Sequence, residues 1–272
     1  MISKLHFISG LPRSGSTLLS ALLKQNPKFH ASVTSPVSSL CSVLQQKMSG
    51  GSEFHVFFND ERRHKILKGV FDSYYADLPV GKVVFDTNRT WTGKAALLGK
   101  LYPTSRIICC VRDVGWVIDS VERMLAKNPL ELSRIFNFKT NSSVYARVEI
   151  LMNSDNGLIG QAWSTLRECW FGENAKRMIV IPYDKLVSEP ERIMRELYQE
   201  LGEEPFKHDF DNVVYDEPDY DAILGMPGMH EVGKKVEYKK RPLCIPPDIF
   251  AKYTESSFWL RPELNHRGVK IL

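Results

Sequence analysis

Nine residues separate the apolar run Leu5-His6-Phe7-Ile8 from the next one, Leu18-Leu19-Ser20-Ala21-Leu22-Leu23; they read Ser9-Gly10-Leu11-Pro12-Arg13-Ser14-Gly15-Ser16-Thr17. A short apolar stretch, a turn bounded by two glycines and a helical repeat of apolar positions describe a strand, a tight loop and the start of a helix. The N–H groups at such a start have no acceptors within the helix, and they suit a phosphate or sulfate group. Gly10 and Gly15 have the spacing of a nucleotide-binding P-loop, but Ser16 stands where that motif has lysine. The anion cradle is kept and its only cation is moved to Arg13. That pattern favours a nucleotide-like ligand over an ordinary ATPase site.

Further short apolar strands are expected at 81–85, 106–111 and 177–182, with helices at 60–77, 91–101, 114–126 and 191–201. Strands alternating with helices predict an α/β fold. Its central, mainly parallel sheet carries helices on both faces and opens with the P-loop-like strand–loop–helix. Polar residues at successive strand ends then gather along one edge, where ligands bind in this architecture. The stretch 128–172 is expected to be mostly helical, with Ile159, Ala162, Trp163, Leu166 and Trp170 in the core, and Gly50-Gly51-Ser52 to be a surface turn. Residues 1–272 are expected to form a single domain, with 207–272 as a covering segment that includes a short helix near 248–256.

Charge and cysteine usage narrow the function classes. Thirty-six Lys and Arg against 32 Asp and Glu leave a net charge of +4, which suits a small anionic ligand. The cations are scattered, with no basic tract flanked by stacking aromatics, so no nucleic-acid partner is expected. Cys41, Cys109, Cys110, Cys169 and Cys244 are too irregular for a disulfide scaffold, and Cys109-Cys110 lies inside a buried-strand pattern. No His/Cys cluster predicts a metal site. With no apolar signal stretch and no transmembrane-length run, a soluble cytoplasmic protein is expected.

A second anion site is suggested by Arg112, which ends a strand, and Ser120, eight residues on in the following helix. One charge-assisted bond and one hydroxyl can together hold a phosphate, although a strand-end arginine alone is more often an ion-pair residue. The basic tail element His230-Glu231-Val232-Gly233-Lys234-Lys235 offers close backbone approach at its glycine and two lysine cations, or simply a solvated charged loop. For proton transfer the nearest carboxylate is Asp86, in the run Asp86-Thr87-Asn88-Arg89; the competing role is a helix cap or a partner for Arg89. His30 is the second candidate base. Phe54, Phe57, Phe58, Tyr74 and Tyr75 suit either an acceptor pocket or helix packing.

Taken in order, these elements resemble the sulfotransferase family that uses 3′-phosphoadenosine 5′-phosphosulfate (PAPS) and releases adenosine 3′,5′-bisphosphate (PAP). Residues 7–19 resemble its 5′-phosphosulfate loop, and Ile107 through Asp113 to Ser120 its 3′-phosphate element. Gln161-Ala162-Trp163, residues 179–186 and Glu189-Pro190 are supportive, and the likeness runs from about residue 3 to 205. It looks closer to the tyrosylprotein and bacterial type than to the cytosolic type. The resemblance implies that Arg13 and the N–H groups of Ser14, Gly15, Ser16 and Thr17 hold the phosphosulfate. Arg112 and Ser120 would hold the 3′-phosphate, helped by Gly233, Lys234 or Lys235, and Arg89 would neutralise the bridging oxygen. Val33 and Thr34 stand where tyrosylprotein members place a glutamate base, so Asp86 or His30 is expected to take that part.

The implied reaction is sulfuryl transfer to a hydroxyl on a small molecule, a carbohydrate or a peptide tyrosine. Two alternatives stand beside it. One is a small-molecule kinase using ATP and magnesium, with Asp113 as the nearest metal-binding carboxylate. The other is a non-catalytic anion-binding or protein-interaction module. The acceptor and the oligomeric state are not legible.

Overall fold

The apolar strands pair only with one another, and all in the same direction. In a computed structural model, which describes residues 4–50, 52–127, 129–130, 132–138, 143–215 and 217–272, they are β1 (Lys4–Gly10), β2 (Phe29–Ala31), β3 (Val83–Thr87), β4 (Ile107–Val111), β5 (Met178–Pro182) and β6 (Lys270–Ile271). Each adjacent pair is parallel, in the order β2-β3-β1-β4-β5-β6. Between and after them run α1 (Ser16–Lys24), α2 (Val37–Lys47), α3 (Asp60–Tyr74), α4 (Ala95–Leu101), α5 (Val114–Lys127), α6 (Val144–Leu151), α7 (Gly160–Phe171), α8 (Tyr183–Ser188), α9 (Pro190–Leu201), α10 (Pro218–Leu224) and α11 (Pro247–Thr254).

Strands that are apolar at every position need cover on both faces, and both are covered. Phe7, Val84, Ile107, Cys109 and Val180 point into one core with Trp91, Leu98, Leu166 and Trp170. Their neighbours Ile8, Phe85, Ile108, Cys110, Ile179 and Ile181 point into the other, with Leu22, Leu197 and Tyr198. Cys109 and Cys110 are thus buried on opposite faces, as their strand position predicts.

The four predicted strands are present, and the chain adds two more. β2 and β6 are three and two residues long, too short to leave a periodic signal. The middle section is less helical than expected. Among its described residues, α6 and α7 are separated by turns, and a 3-10 turn spans Arg134–Phe136. The expected helix start at Asn128 and the turn residue Gly51 lie outside the described residues. The segment after 207 is more than cover, because its end supplies β6, with Leu272 N–H bonded to the Val180 carbonyl at 3.0 Å. No helix among the described residues is long and apolar enough to cross a membrane.

The strand order fixes where a ligand can sit. β1 is flanked by β3 on one side and β4 on the other, so the chain leaves the carboxyl ends of β1 and β4 in opposite directions. The crevice that opens there is the binding position of such sheets.

Two buried histidines make the fold acid-sensitive. Burial, with Lys4 and Arg106 adding repulsion, lowers the His6 pKa from 6.5 to about 4, and burial lowers His208 likewise to about 4. In the unfolded chain both take a proton near pH 6.5; in the folded chain they resist until about pH 4. The unfolded state therefore binds more protons across that window, and stability falls as the pH drops through it. Each group contributes up to about 1.4 kcal/mol per unit of separation. Urea unfolding between pH 7 and 4 should show this decline, and His6→Gln should flatten it.

Candidate functional site

The loop after β1 takes its shape from close packing. Gly10 has φ 106°, and a Cβ there would lie 2.1 Å from the Cys110 carbonyl oxygen. Only glycine lets β1 run that close to β4. Arg13 adopts φ 58°, a left-handed conformation uncommon for a residue with a side chain. Gly15, at φ 94°, precedes α1, and a Cβ on it would strike the Tyr183 ring at 2.9 Å. The backbone N–H groups of Gly15, Ser16, Thr17 and Leu18 bind no acceptor among the described residues. Ser16 and Thr17 border the cleft beside them. Ser14 is turned inward instead: it is fully buried, and its hydroxyl donates to the Cys110 carbonyl at 2.8 Å. Only its backbone remains for a ligand.

The cleft has a volume of about 1480 Å³, more than the few hundred to 1,000 Å³ of a typical single-ligand pocket. On its β4 side three arginines converge. Arg13 Nε donates to Ser120 Oγ at 3.3 Å, and its Nη1 donates to the Met229 carbonyl. Arg112 lies against the Tyr183 ring, 4.4 Å from guanidinium carbon to ring centre, with its buried Nε unpartnered among the described residues. Arg241 stacks near Trp116 at 5.7 Å, and its Nη2 lies 3.2 Å from Asp119 Oδ2 without hydrogen-bond alignment. Burial lowers the pKa of both Arg13 and Arg112, with Arg112 and Arg241 adding repulsion on Arg13 and Arg241 adding repulsion on Arg112. Positive charge concentrated this way, with an orphaned donor, is the electrostatic complement of an anion.

The basic tail contributes differently from its sequence pattern. Gly233 and Lys235 border the cleft, but Lys234 does not, and Lys235 pairs with Asp211 at 2.9 Å on the surface. Besides Lys235, the tail cations that border the cleft are Lys239, Lys240 and Arg241. Their signal was the Lys239-Lys240-Arg241 run ahead of Pro242, which is as basic as the run at 234–235.

The expected bases are elsewhere. Asp86 is 0% exposed and does not border the cleft. Its carboxylate accepts hydrogen bonds from Ser35 (2.7 Å), Tyr75 (2.7 Å) and Trp91 Nε1 (2.8 Å). Burial raises its pKa, and those three donors pull it back. Strand parity is the reason: Asp86 shares a face with Val84, which is a core face. His30 sits on β2 against Tyr75 (ring centres 5.6 Å apart), outside the cleft, with its pKa lowered by burial. Arg89 does border the cleft, open to water yet enclosed by the walls, and that enclosure lowers its pKa. None of Phe54, Phe57, Phe58, Tyr74 and Tyr75 lines it. Asp113 instead caps α5 through the Trp116 N–H (3.2 Å) and accepts from Thr254 (3.2 Å).

His230, which the sequence marks only as the start of the basic tail element and not as a base, faces the cleft. α10 ends at Gly225, and its closing turn (Met226 N–H to Asp221 carbonyl, 3.0 Å) folds the chain back so that His230 meets Asp221. Asp221, 2% exposed, accepts from His230 Nδ1 at 2.5 Å and from the His230 N–H at 2.8 Å. With Nδ1–H held by a carboxylate, Nε2 carries the lone pair. Nε2 has no partner among the described residues, and His230 borders the cleft. The residue before it, Met229, is the one Arg13 grips.

The chain belongs to the sulfotransferase family, whose family model matches residues 6–208. Its fold is shared with the sulfotransferase domain from the curacin biosynthetic pathway, at 15% identity over 94% of this chain and 97% of that one, TM-score 0.61. It is also shared with a sulfotransferase from Alicyclobacillus acidocaldarius, at 14% identity over 82% and 90%, TM-score 0.53. No curated protein sequence matches.

Asp86→Asn should cost about 3 kcal/mol of stability, because it breaks a buried, hydrogen-bonded carboxylate. Urea unfolding measures this. Unchanged stability with lost turnover would return Asp86 to the reaction.

Proposed function

We propose that this chain transfers a sulfuryl group from PAPS to a hydroxyl acceptor. The observation that carries this is the presence in one cleft of two adjoining sets of anion-binding groups: free N–H groups and Arg13 at the start of α1, and Arg112 with Arg241 beside Ser120, to which Arg13 also reaches. A nucleotide with phosphate groups at both its 5′ and 3′ positions needs two such cradles, whereas ATP needs one. The unpartnered Arg112 Nε and the uncapped helix start fit those two groups. Trp116 and Tyr183, already stacked by arginines, add flat walls to the same side. Of the sequence-derived cofactor set, Arg13, Gly15, Ser16, Thr17, Arg112, Ser120 and Gly233 keep their parts in this proposal, while Lys235 is engaged by Asp211. Ser14 contributes backbone only, and Arg241 takes the place given to Lys234.

In the transfer, the acceptor oxygen bonds to sulfur as the bond from sulfur to the bridging phosphate oxygen breaks. His230 Nε2 receives the acceptor's proton, and Asp221 stabilises the imidazolium that results. Arg13, fixed by Ser120 and the Met229 carbonyl, lies one residue from His230 and supplies positive charge where negative charge grows on the leaving oxygen. Arg89 stands on the far wall and can share that work. A base carried in the C-terminal segment, rather than just after the loop, is the feature in which we take this chain to differ from the tyrosylprotein type.

Calorimetry with PAP, ADP and ATP, with and without magnesium, tests the donor class. PAP should bind most tightly and without need of magnesium; a preference for ATP with magnesium overturns the proposal in favour of a kinase. Arg112→Ala should weaken PAP about tenfold or more while leaving adenosine 5′-phosphate nearly unchanged. His230→Ala should lower turnover about 10²- to 10⁴-fold with PAP affinity intact, measured as PAP release with an acceptor that supports turnover.

A further inference from the structure

The β3 side of the cleft is built for a second, different guest. α2 presents Ser38 and Ser42 one turn apart, facing the stretch that follows β3. Ser38 Oγ and Thr90 Oγ1 lie 2.7 Å apart, Thr90 Oγ1 donates to Asn88 Oδ1 at 2.8 Å, and Lys94 Nζ donates to Ser42 Oγ at 2.6 Å. α7 backs this wall through Thr165, whose hydroxyl lies 3.0 Å from that of Thr92. The wall is therefore a hydroxyl surface ending in an ammonium, with Arg89 beside it.

Its charge is uncompensated. Among the described residues, Lys94 and Arg89 make no ion pair, and the Arg89 guanidinium makes no hydrogen bond. The ionisable groups that act on them are the Tyr220 phenol on Arg89 and the Cys41 thiol on Lys94, and burial pushes that thiol up to about 11. The nearby Asp86 carboxylate is already engaged by its three donors. The acidic residues bordering the cleft, Asp184, Glu231 and Glu237, come instead from α8 and the 229–241 segment. A half-buried lysine kept without a counter-ion is costly unless a ligand supplies one.

We infer that the acceptor is itself an anion: a hydroxylated molecule whose carboxylate, phosphate or sulfate is held by Lys94, the Ser38–Thr90–Ser42 hydroxyls and Arg89 while its hydroxyl is presented toward His230. This rests on the sulfuryl-transfer proposal and adds the acceptor's charge to it. A neutral phenol or alcohol would leave both cations without a counter-charge in the cleft.

Matched pairs that differ in one charged group test it. With the protein saturated with PAP, calorimetric titrations compare glucose 6-phosphate with glucose, glucose 6-sulfate with glucose, and 4-nitrophenyl β-glucuronide with 4-nitrophenyl β-glucoside. At least one anion should bind about tenfold more tightly than its neutral partner. Lys94→Gln should abolish the difference, and Lys94→Arg should keep it, with PAP affinity unchanged in both. Equal binding within every pair, no binding of any anion at millimolar concentration, or a preference that survives Lys94→Gln overturns the inference while PAP binding stands. If the unaltered protein does not bind PAP, the sulfuryl-transfer proposal falls and this inference falls with it.

Discussion

Arg13 holds the site together. Its guanidinium spans three parts of the chain that are far apart in sequence: the loop after β1, Ser120 on α5 and the Met229 carbonyl in the C-terminal segment. The loop can aim it only because Arg13 takes a left-handed backbone, and Gly10 can start that loop only because it has no side chain to strike β4. Strain at one residue is repaid by two hydrogen bonds to a charged group, each stronger than its neutral counterpart. The sheet supplies the base, and Arg13 ties the loops that line the cleft to it.

Around that centre the cleft divides by charge partner. On the β4 side the arginines repel one another and face an orphaned donor, while Asp119 draws Arg241 aside. On the β3 side the cations stand among hydroxyls. Asp86 belongs to neither set. Its three donors come from the approach to α2, the end of α3 and the turn after β3, so one buried carboxylate fixes the elements from which the hydroxyl wall is made. Its importance to the site is indirect and mechanical.

What could be read from the sequence was local. Strand, loop and first helix are contiguous, so their spacing disclosed both the fold class and the first cradle. Arg112 and Ser120 were legible because a strand end and a helix face lie eight residues apart. Asp86 misled because a strand-end position suggests the ligand edge, whereas side-chain parity sends this one into the core with Val84. His230 and Asp221 were hidden for a different reason. They meet across a nonrepeating turn in the tail, where no periodicity marks either residue, and only the folded chain brings ring and carboxylate to 2.5 Å. Arg241 was hidden in the same way, by a long excursion that returns to Trp116. β2 and β6 left no mark because strands of two or three residues carry no pattern.

The segment that carries His230 also roofs the arginine side of the cleft, from Met229 to Arg241. Arg13 is tied to its first residue, so any opening wide enough to free Arg13 also carries the imidazole away from the reacting centre. If the cleft takes the proposed nucleotide, its admission and the placement of the proposed base would be coupled through that one contact. Protection of a reactive donor from wasteful hydrolysis would thus come from how the chain is strung, with no residue dedicated to it.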